Sequence, residues 1–193
     1  MALTIEKCIE GWTNTLKQLR LKTDVVFYGD SLTYYGDFSS IFPEKTVCNL
    51  GLRGDTIQGL IDRIEQVEVL KPNVVFLMIG INDVALLTAK KFGERYEILI
   101  HKLQNSLKGS QLIIQSILPV NDIDFSISCN NEQIVKCNAI VSRLAHRYGL
   151  QYIDLFTLYQ RNSLLPKEVT VDGIHIFPFY YEQWYQTIRS INL

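Results

Sequence analysis

The chain has 193 residues, 47% hydrophobic and 20% charged, with 19 basic against 20 acidic side chains and a net charge of −1. At roughly 150 residues per domain this is one domain spanning 1–193, large enough to bury a core without disulfides or metals. The balance lacks the basic excess that neutralises phosphates, so nucleic acid is not an expected partner.

The longest apolar run, Val74 to Ile81 with Gly80 inside it, is eight residues, whereas a membrane-spanning helix needs about 20. The N-terminal segment carries acidic residues and no basic stretch leading into an apolar one, so no secretory signal is expected. Cys8, Cys48, Cys129 and Cys137 form no Cys-x-x-Cys pair and no metal-like spacing. They read as reduced thiols, and the expectation is a cytoplasmic protein that needs neither metal nor cofactor.

In chain order, Ile5, Cys8, Ile9, Trp12, Leu16 and Leu19 recur at helical spacing and predict an amphipathic helix over 5–19. Residues 24–30 and 46–50 read as the first two strands, with a helix over 56–70 whose face carries Ile57, Leu60, Ile61, Ile64 and Val67. Residues 73–80 form the most apolar strand, followed by a helix over 88–107 and a fourth strand over 111–118. A helix over 131–147, a fifth strand over 151–155 and a helix from Pro178 onward complete the chain. The longest loops on this reading are 34–45 and 119–130. Strands apolar on both faces, separated by amphipathic helices, predict a parallel sheet in a three-layer α/β/α domain. Ligands of such folds bind outside the carboxyl ends of the strands.

Four motifs fall at that edge. Gly29-Asp30-Ser31-Leu32-Thr33 closes the first strand and lifts a serine hydroxyl above the sheet, although Asp30 or Ser31 also suits a helix cap. Asn49 to Thr56 closes the second strand, with Gly51 as a candidate backbone donor and Asp55 or Thr56 as the next cap. Gly80-Ile81-Asn82-Asp83 closes the third and offers a neutral amide donor at Asn82, or another cap. The fourth, Asp172-Gly173-Ile174-His175, spaces a carboxylate three residues from an imidazole. An Asp in that place orients the ring and stabilises the imidazolium formed when His takes a proton. His101 and His146 lie in helical patterns beside basic residues and read as solvated. A hydroxyl nucleophile, a backbone donor, an amide donor and an Asp–His pair are together the parts for acyl transfer through a tetrahedral intermediate.

These four blocks, in order from Val25 to His175, resemble the SGNH hydrolases, or GDSL esterases, whose four letters fall on Ser31, Gly51, Asn82 and His175. Residues 116–120 and 152–155 also resemble the fourth- and fifth-strand segments of small members of that family. The resemblance implies a flavodoxin-like five-stranded parallel sheet in the order 2-1-3-4-5 and a metal-free serine esterase acting through an acyl-enzyme. It implies Ser31 as nucleophile, His175 as base, Asp172 as its orienting carboxylate, and an oxyanion hole from Ser31, Gly51 and Asn82. Two departures bear on the substrate: Tyr34 and Tyr35 stand before Gly36, where the family commonly has a glycine sooner, and Ile176-Phe177-Pro178 follows His175.

Asp30, Tyr34, Tyr35 and Arg53 are candidate substrate contacts, and Phe38 and Phe42 share the loop after Ser31, as sugar-stacking or acyl-pocket groups or as simple packing. The expected substrate is a small molecule, a short-chain O-acyl or O-acetyl ester, acetylated carbohydrate included. Lysophospholipase, thioesterase and platelet-activating-factor-type acetylhydrolase activities are the alternatives within the family. A flavodoxin-like module that binds an anion without turning it over is the alternative outside it, and it leaves Asp172 and His175 without a role. Phe179, Tyr180, Tyr181, Trp184 and Tyr185 read either as packing on the sheet or as an interface.

Overall fold

In a computed structural model, which describes residues 5–19 and 22–191, period-2 apolar runs and period-3.6 stripes alternate along the chain. The strands are β1 (Val25–Gly29), β2 (Val47–Gly51), β3 (Val74–Met78), β4 (Gln111–Gln115) and β5 (Gln151–Ile153). They form one parallel sheet in the order β2-β1-β3-β4-β5, the expected flavodoxin-like topology. The helices are α1 (Ile5–Leu19), α2 (Ser31–Tyr34), α3 (Ile57–Asp62), α4 (Glu65–Leu70), α5 (Ile81–Val84), α6 (Ala89–Ser106), α7 (Asn131–Arg147), α8 (Leu155–Tyr159) and α9 (Tyr181–Arg189).

Alternation along the strands produces two cores. Val26 and Tyr28 of β1 and Val75 and Leu77 of β3 face one layer, where α1, α3, α4, α6 and α7 pack. Val25, Phe27, Val74, Phe76 and Met78 face the other, with α8 and α9. Every residue of β1 and β3 is buried, as expected for strands covered on both faces. Tyr181, Trp184 and Tyr185 of α9 are buried in the second core, so most of the C-terminal aromatic cluster is packing, and Phe179 alone of the five stands largely exposed.

Three expectations need correction. The predicted helix over 56–70 is two helices, α3 and α4, which part at Arg63, where the backbone leaves the helical region and the side chain is buried. On α1, Leu16 is buried while Trp12 and Leu19 are 67% and 57% exposed, so the buried stripe runs through Thr13 and Leu16; the side chains of Ile5, Cys8 and Ile9 lie outside the described residues. The longest irregular stretch is 160–177, held by two isolated bridges, Arg161 with Leu164 and Thr170 with Ile176. Its period is neither 2 nor 3.6. Cys48, Cys129 and Cys137 are free thiols, and no described helix is long and apolar enough to cross a membrane.

The loop after α2 is anchored by Phe38, which is buried and stacks on Phe27 at 3.9 Å, with Phe27 in turn stacked on Phe76 at 4.8 Å. Phe38 is therefore core and not a pocket wall, and Phe42 packs against the same cluster. Phe38→Ala is expected to lower stability by about 3–5 kcal/mol, the usual cost of emptying a buried phenyl site. Urea denaturation of the variant beside the parent checks it.

Candidate active site

Ser31 is the first residue of α2, at the carboxyl end of β1. Asp30 caps the helix, its carboxylate accepting the Leu32 N–H at 3.0 Å. The turn leans directly on β2: a Cβ on Gly51 would sit 2.2 Å from the Tyr34 nitrogen and 2.6 Å from its Cα. Only glycine permits that backbone-on-backbone approach. Asn49 ties the two together, donating from Nδ2 to the Thr33 and Gly36 carbonyls at 2.8 and 3.0 Å.

The 170–176 loop brings the imidazole to the hydroxyl across 144 positions of sequence, with His175 Nε2 2.8 Å from Ser31 Oγ. On the other side of the ring, Nδ1 lies 2.7 Å from Asp172 Oδ2. The second oxygen, Oδ1, accepts the Ile174 and His175 backbone N–H groups at 3.0 and 2.8 Å. Burial alone would raise the Asp172 carboxyl, but these bonds and the facing His175 outweigh it and hold the group below the usual carboxylate range. The loop is braced by Thr170 Oγ1, which accepts the Gly173 N–H and donates to the His175 carbonyl, and by the Asn121 N–H on the Gly173 carbonyl.

Asn82 lies inside the first turn of α5, whose cap is Gly80 at φ 131°, a left-handed-side value that favours glycine. Asn82 is thus no cap. Its Nδ2 donates one hydrogen to the Asp55 carbonyl at 2.8 Å, which leaves a second amide hydrogen in a fixed plane. The Gly51 N–H is not the open donor expected from sequence, because Asn49 Oδ1 accepts it at 2.8 Å. Nor does Asp30 face a substrate. It is 1% exposed, turned inward by its capping bond. Tyr34 and Tyr35 are about half exposed. The Tyr35 ring meets His175 edge to face at 5.6 Å, and the exposed Arg53 guanidinium lies 6.0 Å from that ring's centroid. His101 and His146 are exposed and remote, His101 beside Tyr148 at 2.9 Å.

Beneath the site lies a buried ionic cluster that the motif reading missed. Arg63 Nε donates to Asp55 Oδ2 at 2.7 Å, Nη1 to Gln66 at 3.2 Å, and Nη2 to the Gly29 and Leu50 carbonyls at 3.1 and 2.8 Å. The guanidinium also faces the Tyr28 ring, 4.5 Å from its centroid. Asp83 accepts the Ile57 N–H at 3.0 Å. One signal was present in the sequence: Arg63 sits beside Ile64 on the apolar face between Leu60 and Val67, where a solvated cation has no place.

Among the described residues no group of three His, Cys, Asp or Glu is placed to hold a metal ion. A serine, an imidazole and a carboxylate thus stand in hydrogen-bonded series at the carboxyl edge of a flavodoxin-like sheet. The chain belongs to the GDSL-like lipase/acylhydrolase family, whose model matches residues 27–178. No protein of curated function matches it. Similar solved structures include a proposed platelet activating factor from Streptococcus pneumonia, 24% identical with a TM-score of 0.82 over 93% of this chain and 90% of that one. A lipase/acylhydrolase from Enterococcus faecalis is 22% identical, TM-score 0.74, over 86% and 93%. An acetyl xylan esterase is 23% identical, TM-score 0.73, over 86% and 98%.

Burial pushes the Asp30 carboxyl up to about 7, against the lowering effect of the Leu32 N–H and with help from Asp55 and Asp83. The folded protein therefore holds a proton there that the unfolded chain has released, and stability falls as pH rises from about 4 to 7. Asp30→Asn keeps the capping oxygen and removes this slope. Its stability advantage over the parent should be absent near pH 4 and grow by up to about 4 kcal/mol by pH 8, one unit being worth about 1.4 kcal/mol. Chemical denaturation at the two pH values checks it.

Proposed function

We propose that the chain is a serine esterase that cleaves short-chain carboxylic esters, O-acetyl groups on carbohydrate among them, through an acyl-enzyme. The observation that carries the reading is the unbroken series Ser31 Oγ, His175 Nε2, His175 Nδ1, Asp172 Oδ2, with steps of 2.8 and 2.7 Å. Ser31 Oγ attacks the ester carbonyl as His175 Nε2 takes its proton, and Asp172 stabilises the imidazolium. The developing oxyanion is met by the Ser31 N–H, which as the first amide of α2 has no intrahelical partner, and by the second Asn82 amide hydrogen. The Gly51 N–H joins them as a shared donor, three-centred with Asn49 Oδ1. Collapse expels the alkoxide, protonated by His175; a water activated by the same imidazole then releases the acid.

The substrate reading rests on the half-exposed Tyr34 and Tyr35 beside the hydroxyl, flat aromatic faces suited to a sugar ring, and on the acetyl xylan esterase among the similar structures. The exposed apolar residues Leu52, Phe177 and Phe179 nearby in sequence to the site motifs favour the second reading, a longer-chain lipid ester. Rates on p-nitrophenyl acetate, butyrate and octanoate, followed by acetylated xylooligosaccharides, separate the two: a maximum at octanoate rejects the short-chain reading.

Ser31→Ala should lower kcat at least about a thousandfold and abolish labelling by a serine-reactive phosphonate. Retention of about a tenth of the parent rate removes Ser31 as nucleophile. Asn82→Ala should lower kcat about a hundredfold with KM little changed, since its donor acts on charge present only in the transition state. Steady-state kinetics on one preparation, with the thermal midpoint, decides whether turnover or only stability is affected.

A further inference from the structure

Arg63 is buried, and its bonds go to the supports of the site. Its four donations divide between the last carbonyl of β1, at Gly29, and a carbonyl of β2, at Leu50, and between Gln66 and Asp55. Gly29 precedes the Asp30-Ser31 turn, and Leu50 precedes Gly51. Asp55 in turn offers its backbone carbonyl to Asn82 Nδ2, and its Oδ1 to the Thr56 N–H. The parallel register pairs Gly29 with Gly51, so one planar cation sits across the strand ends that lead to Ser31 and Gly51 and, through Asp55, reaches the carbonyl that holds Asn82.

We propose that Arg63 is a positioning residue for the oxyanion hole, holding the ends of β1 and β2 at their spacing and, through Asp55, aiming the Asn82 amide. The assignment rests on the proposed role of Asn82 as donor. A guanidinium is suited to the place because its fork reaches three directions in one plane, whereas an ammonium offers three donors from a single point. Arg63 is 3% exposed and touches no substrate. It acts on the rate only by where it puts other groups, and shifts of about 1 Å in such groups cost on the order of a hundredfold.

The test is a double-mutant cycle of Arg63→Lys with Asn82→Ala, read as kcat and KM on p-nitrophenyl acetate, with phosphonate labelling to count competent sites. Arg63→Lys alone should lower kcat per labelled site at least about tenfold with KM within about twofold. Placed on Asn82→Ala, the same change should cost at least about threefold less than in the parent, because one of the groups it positions is gone. Equal losses in both backgrounds, or no loss in the parent, overturn the proposal. If Asn82→Ala alone leaves kcat unchanged, the oxyanion reading itself has failed, an outcome distinct from a failed cycle, and the proposal falls with it. Should Arg63→Lys not fold, Asp55→Asn takes its place in the cycle, and failure of both to fold overturns the positioning role in favour of plain stability.

Discussion

The contact on which the site depends is between two stretches of backbone, the α2 turn resting against Gly51 with no side chain between them. A Cβ at 51 would stand 2.2 Å from the Tyr34 nitrogen, far inside any van der Waals limit, so a larger residue pushes the nucleophile turn off the end of β2. The glycine was read from sequence as a residue that exposes an N–H. Its first duty is steric. With the turn seated, Asn49 can clamp it from Nδ2 while its oxygen takes the Gly51 N–H, and the serine is set relative to two strands rather than one.

From that fixed hydroxyl the remaining groups are brought in by different means. The imidazole arrives from 144 residues away because α9 docks against the same loop: Tyr181 donates to the Leu32 carbonyl at 2.8 Å and the Tyr185 hydroxyl accepts the Asp37 N–H at 2.7 Å. Trp184 donates to the buried Gln115 of β4 at 2.6 Å. These are buried polar contacts whose loss leaves groups unpaired, which costs more than the bond is worth. The C-terminal helix thus carries the 170–176 loop as a rigid extension of the second core. The aromatic run that read in sequence as either packing or an interface is mostly packing, and it holds the loop after the nucleophile.

What was legible in sequence follows the same division. The parallel sheet and its layers were readable because β1 and β3 are apolar on both faces and the helices between them keep period 3.6, whereas the strand order came only with the family resemblance of the motifs. Three of the motifs were readable because each pairs a chemical group with a strand end, and the fourth because it spaces a carboxylate three residues from an imidazole. The break at Arg63 was not, since helical periodicity runs through it. The fate of the Gly51 N–H was hidden for a related reason: its acceptor is a side-chain oxygen two residues away, and rotamers leave no mark on spacing. The Phe38 position was ambiguous between loop and core because the aromatics of 34–42 (Tyr34, Tyr35, Phe38 and Phe42) follow neither period, so spacing does not say which of them turns inward.

The buried cluster explains why this edge of the sheet can be both rigid and charged. Asp30, Asp55 and Asp83 lie buried close enough to act on one another, and Asp55 is paired with the Arg63 guanidinium; burial pushes Asp30 and Asp83 up to about 7 and about 6. Three ionised carboxylates against one cation would repel one another in a medium that screens poorly, so the proteins that tolerate such clusters keep some members protonated or bonded to backbone N–H groups. Here each carboxylate accepts at least one backbone N–H, from Leu32, Thr56 and Ile57 respectively. The acids therefore fasten the starts of α2 and α3, while the cation fastens the ends of β1 and β2. Hydrophobic residues of the same volume would fill the space, yet none could make those main-chain bonds. The stability given up at neutral pH is exchanged for strand ends and helix starts that cannot drift apart, which is the requirement a site built from three separate loops places on its foundation.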